Sequence, residues 1–359
     1  MRILVDVTPL SHPRTGIGNY LRGMVAGLAE ASEGRHELVC FGPTSLPGKR
    51  RIKEALAGLP VELRLGFVPF AHAWRTAWSR LGRPPAERFL GELDVLHFSD
   101  WMYPPQRAGL RATTIHDLVP LRFPELVAPR TLAMHSAKYR NAARTCDLMF
   151  ANSLVTAGDI AELLRFPRDR VHVAYPGIDP IFQPEGRKAD LGGPYILSVA
   201  TLEPRKNLAG LVEAFALVRR RRPELQLALA GLEGWGAGQS FQGDGVRMLG
   251  FVPDEELAAL YRGASVFAYP SRFEGFGIPV VEALASGTSV VVSSDPSLDE
   301  ASGDAAVRAN AERPEELASA LERAYSEREV LAGRGIEHAR QFTWRACGEA
   351  VLRGYESAL

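Results

Sequence analysis

Short strand-like runs alternate with longer helix-like stretches along almost the whole of the 359-residue chain, and this alternation restricts the possible folds more than any other feature. The runs fall at 3–7, 38–41, 61–67, 95–98, 113–115, 148–151 and 171–174. Strands separated by helices in this way form a parallel sheet with helices on both faces. A second series follows at 195–200, 225–230, 246–249, 265–269 and 289–292. Prolines and glycines cluster at 175–194, from Pro176 and Gly177 to Gly193 and Pro194, which reads as a linker. The length also exceeds what one ordinary core serves. The prediction is an α/β protein of two Rossmann-like domains with a cleft between them.

The most informative stretch is 271–287, Ser-Arg-Phe-Glu-Gly-Phe-Gly-Ile-Pro-Val-Val-Glu-Ala-Leu-Ala-Ser-Gly. Apolar runs on either side make it a strand, turn, helix, strand unit. Pro279 suits a helix start and Gly287 a helix stop, with Glu282 expected in the first turn. Gly275 and Gly277 remove side chains just ahead of that helix, where free N–H groups and the dipole favour a phosphate. Glu274 and Glu282 flank the turn. Carboxylates repel phosphate but accept hydrogen bonds from hydroxyls, so the layout matches a nucleotide sugar.

A second anion-binding signal lies at 198–208, where a strand ends and a helix is expected to open at Asn207. Arg205 and Lys206 sit beside that helix N-terminus, where the dipole disfavours cations unless an anion lies between. Arginine can bridge two phosphate oxygens and lysine can act as a point charge, so the pair suits the phosphates of such a ligand. In the first half, His116 follows the run 113–115 and is expected at a strand's carboxyl end, able to exchange hydrogen bonds with a ligand in the cleft. Asp117 could orient His116, contact an acceptor hydroxyl or cap the residues from Leu118. Asn152 and Ser153 are expected to begin a helix. Trp74 and Trp78 are four residues apart among arginines within 67–83, so a helix there would place them on one face. Such a face suits a buried packing helix, an acceptor site or contact with lipid.

The string Glu274-Gly-Phe-Gly-Ile-Pro-Val-Val-Glu282 resembles the E-x7-E signature of the retaining GT-B glycosyltransferases of family 4, and the resemblance extends over essentially the whole chain. It implies transfer of a sugar from a nucleoside diphosphate sugar to an acceptor hydroxyl with retention, by a front-face route. No carboxylate pair for double displacement is evident. The resemblance further implies that Gly16 and Gly18 approach the donor diphosphate and the acceptor. Gly275, Phe276, Gly277 and Ile278 would hold the diphosphate by their backbone, Glu274 the sugar hydroxyls and Glu282 the ribose. His116 would face the reacting sugar, and Val252 would lie in a stretch flanking the nucleobase. The family's usual arginine position holds Thr201 here, so Arg205 is a departure from the pattern. The expected domains are 1–175 for the acceptor and 176–342 for the donor, with a last helix at about 343–359 returning to the first.

The variant at 202–207, with Ile115-His116-Asp117-Leu118, looks most like bacterial mannosyl- or rhamnosyltransferases of surface polysaccharide synthesis, which makes GDP-mannose the expected donor. The acceptor would be a glycan or lipid-linked glycan. No Asp-x-Asp motif occurs, so neither a metal nor another cofactor is expected. A phosphorylase, a nucleotide-sugar 2-epimerase and a non-catalytic nucleotide-sugar sensor are the alternatives. Composition narrows the setting: 46% hydrophobic and 23% charged residues are those of a globular protein. Net charge is zero, but residues 1–180 carry 23 Lys and Arg against 17 Asp and Glu. This argues against nucleic acid and leaves a mildly basic first half that could face anionic membrane. Three scattered cysteines, no long apolar run and an N-terminus that enters a strand at once lead us to expect a cytoplasmic protein, able to work at the inner face of the membrane.

Overall fold

The computed structural model describes residues 1–13, 16–99, 102–127, 129–232 and 241–359. The chain divides into two compact units, one built from Met1–Pro124, Pro129–Gly177 and Phe342–Leu359, the other on Ile178–Gln341.

The first unit holds seven strands: β1 (Arg2–Asp6), β2 (Glu37–Phe41), β3 (Glu62–Arg64), β4 (Val95–Phe98), β5 (Leu110–Ile115), β6 (Leu148–Ala151) and β7 (Val171–Val173). They pair in the order β3-β2-β1-β4-β5-β6-β7, all parallel. The central strands are buried along their length because helices cover both faces. The expected strand at 61–67 is only three residues long, and β5 begins earlier than expected, at Leu110.

The last helix, Trp344–Ala358, packs along Gly16–Ser32. Its backbone touches that of the other helix: a Cβ on Gly27 would stand 1.8 Å from the Trp344 carbonyl oxygen, and one on Gly348 would stand 2.2 Å from Gly27. Val351, Leu352 and Tyr355 then join the core formed by Ile3, Val5, Met24 and Leu28.

The second unit has β8 (Tyr195–Val199), β9 (Gln226–Ala230), β10 (Val246–Gly250), β11 (Val266–Tyr269), β12 (Val290–Ser293) and β13 (Ala306–Ala309). Their order is β10-β9-β8-β11-β12-β13, again all parallel. β13 has no counterpart among the sequence expectations; Ala-Val-Arg-Ala is a weak strand signal alone, and pairing with β12 forms it. In each unit the strand order reverses beside the first strand, at β1/β4 and at β8/β11. Ligands of open parallel sheets bind outside the carboxyl ends of the strands at such a point.

Candidate functional site

In the second unit both loops at the switch point carry charge. After β8 a single tight turn, Pro204–Lys206, leads to Asn207, a non-glycine residue in the left-handed region (φ 52°). The Asn207 side-chain amide holds this turn by donating to the Ala311 carbonyl at 2.7 Å. The helix therefore begins at Leu208, one residue later than expected, and Lys206 is turned inward to 7% exposure. After β11 the chain runs through Phe273 and Glu274, both buried, to Gly277 (φ 99°) and the helix Ile278–Ala285.

Three predicted residues meet there. Lys206 Nζ donates to a Glu274 carboxylate oxygen and, at 2.8 Å, to the Tyr269 hydroxyl. The other Glu274 oxygen accepts from Arg205 Nη1 at 3.1 Å. Arg205 Nε reaches Glu203 at 2.9 Å, and its Nη1 reaches the Phe273 carbonyl at 3.3 Å. Burial alone would raise the Glu274 pKa, but Lys206 and Arg205 outweigh it and hold the carboxyl at about 2. Burial lowers Lys206 from its usual value, with Glu274 opposing that shift. Such a cluster keeps its charges only because each has a partner. It is a buried ionised constellation next to the amino end of a helix, suited to exchanging partners with an anion.

Glu274 thus holds the two cations that were expected to face a diphosphate. Glu282 is the fifth residue of its helix rather than a first-turn residue, because the helix opens at Ile278 with Pro279 second. Its Oε2 accepts from the Tyr261 hydroxyl at 3.1 Å. Gly275 and Phe276 are buried, Phe276 at 2% exposure, so the Phe276 side chain serves the core. Ile278 and Val252 are half-buried, and Val252 follows the edge strand β10.

In the first unit His116 directly follows β5, as its position after 113–115 requires. Its ring meets Tyr20 edge-on, with centroids 4.9 Å apart. Burial, then the neighbouring His135, pushes its pKa down to about 4, so it is neutral at pH 7. A small pocket beside it is lined by Tyr20, Met24, His97, Phe98 and Thr114 among others. Asp117 caps the turn Val119–Arg122 by accepting from Val119 N at 3.1 Å. Ser153 caps Leu154–Leu163 through Thr156 N at 2.9 Å. Gly16 and Gly18 stand in the first turn of the helix Gly16–Ser32, not in an open loop, while Thr15 lies outside the described residues.

Trp74 and Trp78 share one face of Ala71–Leu81, with ring centroids 5.0 Å apart. That face turns inward: Trp78 is 4% exposed and its indole N–H donates to the Pro84 carbonyl at 2.7 Å. Arg75 is buried as well. The exposed apolar groups are instead Phe67, Phe70 and Leu81.

Sequence reading missed Tyr269 and Tyr261, which contact Lys206 and Glu282, and it missed His97, whose only signal is an imidazole within an apolar strand. Among the described residues no three His, Cys, Asp or Glu side chains gather as a metal site would need, and no helix is long and apolar enough to cross a membrane.

Comparison with known proteins gives the family and the fold. Residues 14–182 match the family model for Glycosyltransferase Family 4, and 181–342 match that for Glycosyl transferases group 1. O-antigen chain mannosyltransferase B of Escherichia coli is 28% identical, over 99% of this chain and 100% of that protein. Among solved structures, sucrose-phosphate synthase from Thermosynechococcus elongatus superposes with a TM-score of 0.72 at 17% identity, covering 99% of this chain and 98% of that one. The Anabaena protein HepE in complex with UDP-glucose gives 0.71 at 16% identity, covering 99% and 100%. With the two family models together accounting for 14–342, the chain belongs to the group 1, family 4 glycosyltransferases and has the GT-B fold.

Proposed function

We propose that the protein is a retaining hexosyltransferase that moves mannose from GDP-mannose to a hydroxyl of a glycan or lipid-linked glycan in the synthesis of surface polysaccharide. One observation carries the donor site: Lys206 and Arg205 converge on Glu274 at the switch point of the second sheet, beside the turn that opens Ile278–Ala285. Lys206, Arg205 and the backbone at 275–278 stabilise the diphosphate as the bond from the anomeric carbon to its oxygen breaks. Fixed charges in a water-poor site need no reorganisation at that moment, and removing one donor of this kind typically costs about a hundred- to a thousandfold in rate. The leaving oxygen then takes the acceptor's proton on the same face of the sugar. With two cations supplying the charge, the chemistry needs no metal or other cofactor.

Glu274 exchanges a cation for hydroxyls of the sugar, Glu282 binds the ribose, Val252 flanks the base, and neutral His116 hydrogen-bonds the reacting sugar. Gly16 and Gly18 approach the diphosphate and the acceptor. The choice of mannose is supported by the end-to-end similarity to O-antigen chain mannosyltransferase B. Exposed Phe67, Phe70 and Leu81 near Arg80 and Arg83 support contact with anionic lipid, and so work at the inner face of the membrane.

Thermal unfolding with a panel of GDP-, UDP-, TDP- and ADP-sugars tests the donor site, since a ligand of the native state raises the melting temperature. GDP-mannose is expected to stand out and to lose its effect in Glu282→Ala. No shift with any sugar nucleotide would overturn the assignment.

A further inference from the structure

Beneath His116 runs a chain of buried hydroxyls and one imidazole that ends on the last helix of the protein. His97, in the middle of β4, is 3% exposed. Its Nδ1 is 2.7 Å from the Tyr355 hydroxyl, and its Nε2 is 3.0 Å from Thr114 Oγ1 on the neighbouring strand β5. Thr114 in turn bonds the Tyr20 hydroxyl. Tyr20 donates to the Ala174 carbonyl at 3.3 Å, and the Cys347 thiol, also on the last helix, lies 3.8 Å from the Tyr20 oxygen.

The direction of every bond follows from its end. A carbonyl only accepts, so Tyr20 gives its proton to Ala174. Thr114 must then donate to Tyr20 and accept from His97, which places the His97 proton on Nε2. Nδ1 is left as an acceptor for Tyr355. Each hydroxyl gives one proton, and Thr114 and Tyr20 each receive one as well. Burial, with Lys138 and His116 adding to it, pushes the His97 pKa down to about 3, in keeping with a neutral ring. Tyr20, at the far end, presents its ring edge to the His116 imidazole.

We propose that Tyr20 is a positioning residue for His116, held in place by the chain Tyr355–His97–Thr114, so that the last helix sets the orientation of a group used in the reaction. This rests on the reading of His116 as a contact of the reacting sugar. A hydrogen-bonded chain fixes ring orientation more narrowly than apolar packing, and small misplacements of a reacting group are costly in rate.

Release of mannose from GDP-mannose into water, measured without acceptor, is the activity to follow in Tyr20→Leu, Tyr20→Phe and Tyr355→Phe, each alone and combined with His116→Ala. Tyr20→Leu should lower kcat about tenfold and the two phenylalanine variants about threefold, with KM for GDP-mannose unchanged. None should lower it further once His116 is gone, because a positioning residue acts only through its target. An equal loss in the His116→Ala background would mark a merely structural role and overturn the proposal. Full activity of Tyr20→Leu beside an impaired His116→Ala would overturn it too, whereas full activity of His116→Ala would instead remove the reading of His116 on which it stands.

Nitrogen NMR of histidine-labelled protein gives a second readout that needs no turnover. His97 should carry its proton on Nε2 and show no titration near pH 6.5, and the His116 resonances should move in Tyr355→Phe. A proton on Nδ1, or His116 signals unchanged in that variant, would sink the idea.

Discussion

The two sites occupy equivalent places, each at the carboxyl ends of central strands in a parallel sheet, yet they are built from opposite materials. In the second unit Lys206, Arg205 and Glu274 are ionised and buried together. In the first unit His97 and His116 are held neutral, and hydroxyls supply the remaining contacts. The difference teaches what each can do. Fixed charge suits a group whose own charge changes during reaction, as a leaving diphosphate does. Neutral directional bonds suit orientation, because they lose strength quickly when misaligned.

The sharpest way to break this comparison is Lys206→Ala. It should lower the transfer rate about a thousandfold and, by leaving Glu274 buried with Arg205 as its remaining cation, destabilise the fold by about 3 kcal/mol. Transfer kinetics together with urea unfolding would check both; a loss of rate with no loss of stability would mean that the cluster is not buried as described.

Next comes Lys138, a buried amine beside the neutral groups, which is 1% exposed and donates to the Thr114 carbonyl at 3.1 Å. Burial lowers its pKa from 10.5 to about 7, with Cys146 and Asp6 opposing the shift. Between those two values the unfolded chain binds more protons than the folded one, so stability should rise with pH through that window, by on the order of 5 kcal/mol in total. Lys138→Met should flatten this slope. Glu274 acts in the other range: its pKa is depressed from 4.5 to about 2, so its contribution is present above pH 4.5 and lost as pH falls toward 2. Unfolding free energies across pH in Lys138→Met and Glu274→Gln would separate the two slopes.

A smaller effect should come from Gly348→Val, which places methyl groups where the Gly27 backbone lies. Overpacking of this kind costs about 2 kcal/mol. It should impair the His116 side of the chemistry and leave the binding of sugar nucleotide unchanged, as read by thermal shift; equal damage to both would blur the distinction between the two units. The smallest effect is expected from Arg313→Ala. Arg313 and Glu316 pair at 2.9 Å with both side chains well exposed, and surface pairs are worth less than about 0.5 kcal/mol. A larger loss on denaturation would show that exposed charge matters here as much as buried charge.

Most of the fold could be read in advance because parallel strands buried on both faces leave dense apolar runs, as at 38–41, 95–98 and 148–151. β13 escaped because its four residues owe their conformation to β12 rather than to their own propensity. In the charged site the signal was local: Glu274, Gly277 and Lys206 sit in short turns whose residue types already carry the chemistry. The neutral site left little trace. Its contacts join Tyr20, His97, Thr114 and Tyr355, with up to 258 residues between His97 and Tyr355, and no spacing rule connects them. The tryptophans at 74 and 78 show the same limit, since helical spacing predicted their shared face but not that it would turn inward.

By itself, then, the sequence determined the two series of parallel strands, the turns that hold the charged groups, and the family to which they point, because each depends on neighbours within a few residues. The tertiary structure decided that Glu274 holds Lys206 and Arg205 together, that Glu282 leans on Tyr261, and that the last helix reaches His116 through His97 and Tyr20. Those outcomes depend on which buried groups must share partners once water is excluded, and only the packed chain brings such groups within reach of one another.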